Sequence, residues 1–472
     1  MIHSITGFAR RMVSTAYMVK PHLQRGDITP TREAYKTSLG IAIPAVIEMV
    51  SLALMDMVSM IMVGQLGDYA ISAVALTAQP RMIFFSIFFA LNVSVTAIIA
   101  RSKGAGEEEK ARSCLRHALM LILVLGTLMT LLAVIFARPM MLLAGAQADT
   151  IGPAASYLRI ASYGMIFQMA SGSICAAQRA TGNTRITLRV SVTAKIVQVI
   201  SGFLLIEGRF GLPALGTDGA AVAIVIVGIV GFGLAFASLL QKNSFLRLRR
   251  TDNWKPEPEM VRTIGRLSLS GMIEQVGLRI GFFLYARVVA DLGTLQFAAH
   301  SIAMQFMVLG FTFAEGIGAA TTSLVGQNLG KKRPDLSIMY GKLGMRLAFA
   351  AAAFLSVTAF LMRYWFPSIF SNDPYVIAIT AGIVMILIFI LPIQTTQIVM
   401  GGSLRGAGDV RFVAMTMFIT VGVLRPLGGF LLVYPLGLGL VGAWIAVIID
   451  QAARLVMLFL RFSSGKWIRE KL

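Results

Sequence analysis

Residues 39–67 read LGIAIPAVIEMVSLALMDMVSMIMVGQLG. Coiled as a helix, this run is long enough to cross about 30 Å of hydrocarbon. It nevertheless holds two carboxylates, Glu48 and Asp56. The same apolar texture recurs along the chain. Of its 472 residues 57% are hydrophobic and 14% charged, with a mean hydropathy of +0.77. Soluble cores of this length do not enclose that much apolar surface. Twelve apolar runs predict spans at 37–63, 71–100, 115–143, 153–176, 186–208, 217–241, 263–291, 298–325, 340–365, 375–403, 409–434 and 439–462. They leave no room for a soluble domain. The expected fold is an all-α integral membrane protein.

The net charge of +20 is explained by its distribution. Of 42 Lys and Arg, 32 lie in the two tails and in every second connection, and 4 in the intervening connections. The other 6 (Arg81, Lys195, Arg279, Arg287, Arg425, Arg454) lie within spans. Basic residues concentrate on cytoplasmic loops, so the bias predicts a cytoplasmic-membrane protein with both termini inside. The charge therefore reports topology rather than nucleic-acid binding. Residues 1–36 read as a basic cytoplasmic tail, although the acid-free first 25 faintly resemble a transit peptide.

Catalytic motifs fail one by one. Cys114 and Cys175 lack metal-ligand or CxxC spacing, and His3, His22, His117 and His300 are scattered. GLGLVG (437–442) sits between two spans with no strand before it, so its glycines predict a tight extracytoplasmic turn instead of a dinucleotide loop. GQNLGKK (326–332) is one spacer short of a phosphate-binding loop and lacks its Ser or Thr. Neither an enzyme nor a bound cofactor is expected.

A shift of 226 residues brings the halves into register. Glu48 falls on Glu274, Gly104 on Gly330, and QRATGNTR (178–185) on LRGAGDVR (404–411), which aligns Arg179 with Arg405. Near the end the shift becomes 223, with Gly216 and Gly219 facing Gly439 and Gly442. Two six-span halves of like orientation predict a pseudo-two-fold axis along the membrane normal and a cleft between lobes. The lobes are expected at 37–241 and 263–462, joined by a cytoplasmic linker at 242–262 and followed by a cytoplasmic tail at 463–472.

Several stretches resemble the multidrug and toxic compound extrusion (MATE) family, from about residue 37 to the C-terminus. They are VGQLG (63–67), LVGQNLGKKRPDL (324–336), GNTR (182–185), GAGDVR (406–411) and PLGLGLVGAWIAVIIDQAARL (435–455). EQVGLRIGFFLYARVVADLG (274–293) is similar to the seventh helix of bacterial members. The resemblance implies twelve helices in two lobes and export of organic compounds, often cationic and lipophilic, driven by entry of Na+ or H+. One departure stands out. Bacterial relatives usually carry an Asp where this chain has Ser59; Asp56 lies one helical turn earlier.

Acids within a bilayer usually face a bundle interior or a watery cavity and mark ion or substrate paths. Desolvation pushes a lone carboxylate towards its protonated form, and added oxygen ligands let it hold Na+. Glu274, Asp56, Glu48 and Ser59 are therefore the expected cation-coupling positions, and Na+ at these acids is the one metal expected. Pro44, one turn before Glu48, would free a backbone carbonyl nearby. The plain alternative is a buried ion pair: Lys195 with Glu48 or Asp56, Arg279 with Glu274, and Asp450 with Arg454 at i,i+4. Glu315 is left unassigned. Phe282, Tyr285, Met304 and Phe306, with Phe283, Phe311 and Phe313, are candidates for an apolar cleft wall or for ordinary packing.

The expected partners are small organic molecules and lipid, with no nucleic acid, and the chain is expected to be a monomer. Two other readings stay open. One is a lipid-linked precursor flippase of the same superfamily, whose members commonly have two more helices and a strongly cationic central cavity. The other is a membrane receptor or scaffold that transports nothing.

Overall fold

A computed structural model describes residues 14–66, 68–144, 150–211, 213–241, 244–249 and 252–469. Gly67 of the VGQLG motif, residues 1–13 of the basic tail, 242–243 and 250–251 of the linker, and 470–472 lie outside the described residues. Among the described residues twelve helices are long and apolar enough to cross a bilayer. We number them α1 Thr31–Gly64, α2 Asp68–Ala105, α3 Glu108–Ile135, α4 Ile151–Ala180, α5 Thr184–Glu207, α6 Gly216–Leu240, α7 Pro258–Ala290, α8 Thr294–Gly330, α9 Pro334–Leu361, α10 Pro374–Gly406, α11 Val410–Val433 and α12 Gly439–Ser463. Each corresponds to one of the twelve apolar runs. Most extend several residues beyond them, because polar residues continue the backbone hydrogen-bond ladder once the helix has left the apolar layer.

The chain divides into two compact units. One comprises Met1–Val46, Gly104–Gly106 and Leu269–Leu472; the other comprises Ile47–Lys103 and Glu107–Ser268. We call them the second-half and first-half units. Residues up to Val46 group with the second-half unit through close backbone packing: a Cβ added to Gly316 of α8 would lie 2.7 Å from the Val46 backbone. The segment before α1 is also held to this unit. Met18 and Val19 are buried against Leu324, Met339 and Leu343, Lys342 Nζ donates to the Met18 carbonyl at 2.7 Å, and the Arg25 N–H donates to Asp335 at 3.0 Å.

In the second-half unit α8 packs against α9 and α10, and α10 against α12. The core there gathers Tyr285, Phe306, Leu387, Leu391 and Trp444. Residues Phe418–Leu424 of α11 form a π-helical stretch, a wider turn that often marks functional sites. Gly281 of α7 packs directly on it: a Cβ there would fall 1.9 Å from the Val421 carbonyl oxygen. In the first-half unit α4 packs against α6 and α3, and α5 against α6.

The repeat noted in the sequence closes two helices in the same way. Gly182 (φ 87°) after α4 and Gly408 (φ 93°) after α10 adopt left-handed conformations. Their N–H groups donate to the carbonyls of Arg179 and Arg405, each at 2.9 Å. Glycine takes this conformation without steric cost and so ends a helix cleanly.

Candidate functional site

In the first-half unit Glu48 lies midway along α1 and is 1% exposed. A buried carboxylate needs its lone pairs satisfied, and three donors meet this one. Arg179 of α4 donates from Nη1 at 3.1 Å, Thr187 of α5 at 2.7 Å and Ser191 of α5 at 2.7 Å. Two turns along α1, Asp56 is paired with Lys195 of α5. Glu48, Asp56, Arg179 and Lys195 all line a cavity of about 540 Å³, together with Arg81 of α2. Ser59 lines it too, its hydroxyl bonded back to the Met55 carbonyl at 2.9 Å. A cavity of this volume suits a drug-sized molecule.

In the second-half unit Glu274 lies midway along α7, 4% exposed, and is paired with Arg405 of α10. Glu315 of α8 also lies within electrostatic reach of Arg405, and Glu274 within that of Arg454. Asp450 of α12, fully buried, accepts from Arg425 at 2.5 Å and 2.8 Å and from Arg454 at 2.5 Å. Arg454 donates onward to Thr420 in the π-helical stretch at 2.9 Å. Arg425 lies 5.0 Å from the centre of the Phe282 ring, a cation–π distance.

The ion pairs differ in part from those expected. Lys195 meets Asp56, and Glu48 instead takes Arg179. Arg279 is exposed, and the partner of Glu274 is Arg405. Five residues along a helix is a turn of about 140°, so Arg279 is carried away from the side of α7 that bears Glu274. Asp450 and Arg454 do pair, and Arg425 completes a triad that sequence reading missed. Arg179 and Arg405 had been counted among cytoplasmic-side cations. A signal for them was nevertheless present: each lies 131 residues after its glutamate.

The aromatic candidates separate. Tyr285 and Phe306 are core residues, the Tyr285 hydroxyl donates to the Ala443 carbonyl at 3.0 Å, and Met304 packs against the same core. Packing accounts for these three. Phe282 stays 41% exposed beside Arg425, and Phe283 and Phe311 are exposed.

The chain is similar to known transporters over nearly its whole length. The protein named "Probable multidrug resistance protein NorM" of Thermotoga maritima is 27% identical over 95% of this chain and 96% of its own. "Multidrug resistance protein PmpM" of Pseudomonas aeruginosa is 26% identical over 93% and 94%. A solved structure described as the outward-facing conformation of a multidrug resistance MATE family transporter superimposes with a TM-score of 0.85 at 21% identity, covering 94% of this chain and 98% of that one. The model of the MatE family matches residues 44–204 and 272–431, one segment in each half of the repeat and together more than half of the chain. With twelve candidate spanning helices among its described residues and a duplicated buried glutamate–arginine pair, this chain is a multi-pass membrane protein that belongs to the MatE family.

Proposed function

We propose that this chain is a secondary active exporter of organic compounds, driven by entry of Na+ or H+ and working by alternating access in the cytoplasmic membrane with both termini inside. One observation carries the reading. Each half of this MatE chain buries a glutamate, midway along its own helix, against an arginine 131 residues later at the end of another. The guanidinium holds the carboxylate ionised, so an incoming proton or Na+ has to displace the arginine from the same oxygens, and ion binding and the ion pair exclude one another. Opening such a pair is a local charge change able to bias a two-state element.

Glu274 is the proposed coupling acid. Arg405, its partner, leaves its buried Nε without an acceptor, so the guanidinium has a free donor when the pair rearranges. Asp56 and Glu48 with Ser59 form the proposed second group, where hydroxyls of Thr187 and Ser191 supply oxygens beside Glu48. The compounds are proposed to resemble those that give the relatives their multidrug resistance names. The chain is proposed to act as a monomer.

Purified protein in proteoliposomes, loaded in parallel with a lipophilic cationic dye and with a lipophilic carboxylate dye, tests the function. Imposing an inward Na+ gradient and an inward H+ gradient separately should drive dye export with one of them. Export with neither, alongside intact folding, would support a receptor or scaffold.

A further inference from the structure

We propose that the cavity of the first-half unit holds an acidic group of its ligand at Arg81, so that its preferred ligands are amphipathic organic carboxylates, zwitterions included. The inference deepens the export reading and rests on it for the direction of transport alone. Five charged side chains line the cavity, two acids and three bases. Both acids are already matched, Glu48 by Arg179 and Asp56 by Lys195. Arg81 is the base left over: among the described residues no carboxylate lies within ion-pair distance of it, and its buried Nε has no acceptor. A guanidinium presents parallel N–H donors that fit the two oxygens of a carboxylate.

The surroundings complete the ligand's description. The Tyr157 phenol adjoins Arg81 and adds a hydroxyl at the same place. Gln198 also lines the cavity, and its buried Oε1 lacks a donor. Met49, Leu52, Val63 and Phe89 supply an apolar wall for an aromatic or aliphatic body. A ligand with only positive charge would have to displace Lys195 or Arg179 to reach a free acid. One with an acidic group meets an unoccupied base.

Fluorescence titration of the purified protein with 1-naphthylacetate and its isosteric neutral amide, 1-naphthylacetamide, tests the assignment. Wild type should bind the carboxylate at least about tenfold more tightly than the amide. Arg81→Gln should abolish that preference while leaving amide binding in place, and Arg81→Lys should keep part of it. Equal binding of the two probes by wild type, or an unchanged preference in Arg81→Gln, would overturn the proposal. The wild-type comparison decides even if Arg81→Gln fails to fold. The assay needs no gradient, so a protein that prefers the carboxylate yet exports nothing would refute the transport reading and leave this one standing.

Discussion

The two halves of the repeat build the same ion pair and then diverge. Glu48–Arg179 and Glu274–Arg405 are separated by the same 131 residues, lie on equivalent helices and are followed by the same glycine-closed helix end. Beside the first pair there is a largely apolar cavity of about 540 Å³ into which five charged side chains also reach. The register of 223 that aligns Gly219 with Gly442 places Asp450 on Val227 and Arg454 on Gly231, both of which line that cavity. Where the first half has open space, the second therefore has a buried charge triad. Conversely, in the register of 226, Asp56 falls on Phe282, Arg81 on Met307 and Thr187 on Val413. The shared pair is what duplication kept. The differences lie beside it: a cavity in one unit, a buried ionic network near the acid in the other.

The largest effect is expected at the triad. Asp450→Leu would strand Arg425 and Arg454, 2% and 4% exposed, without their counter-charge. Breaking a buried ionic group from one side costs about 3–5 kcal/mol. The variant should show a steep loss of folded yield and melting temperature in detergent. A wild-type melting curve would mean that the triad is not the structural core described here.

A smaller effect is expected where the first half is open. Gly231→Leu puts a side chain into the cavity close to Ser171 and Ala194. Ligand affinity should fall about tenfold, which is about 1.4 kcal/mol, with little change in melting temperature. Loss of stability without loss of binding would erase the contrast between the units. At Asp56, 63% exposed, Lys195→Met should cost no more than about 1 kcal/mol of stability, since exposed pairs contribute little.

The smallest effect concerns a departure within the repeat. Gly106 (φ 76°) ends α2, and the residue 226 positions later is Lys332 (φ 60°), a left-handed conformation that a side chain disfavours. Lys332→Gly should raise stability by up to about 1 kcal/mol, read as a slightly higher melting temperature. A lower melting temperature would show that the Lys332 side chain contributes more than its backbone strain removes.

How far these features could be read from the sequence depends on their range. The twelve spans were readable because hydrocarbon admits only long apolar helices. The turn expected at 437–442 was readable only in part: Gly437 and Gly439 take positive φ before α12, whereas Gly442 lies inside that helix. The acids themselves stood out against apolar neighbours. Their partners did not, because Arg179 and Arg405 lie near helix ends rich in other cations, and proximity in sequence favoured Arg279 instead. The Arg425–Asp450 contact crosses 25 residues and two helices, and the π-helical stretch at Phe418–Leu424 has no composition of its own. Tyr285 and Phe306 could have lined a cleft by composition alone; packing against Trp444 and Phe366 decides their place.

Glu274→Gln in proteoliposomes under the imposed gradient that drives wild-type export tests the central claim most directly. The substitution keeps shape and hydrogen-bonding capacity but removes the charge for which the coupling ion and Arg405 compete. The account predicts normal insertion, retained ligand binding and at least about a tenfold loss of gradient-driven efflux, with part of the rate kept by Glu274→Asp. Export by Glu274→Gln at the wild-type rate would contradict it, and the coupling role would pass to Asp56 and Glu48.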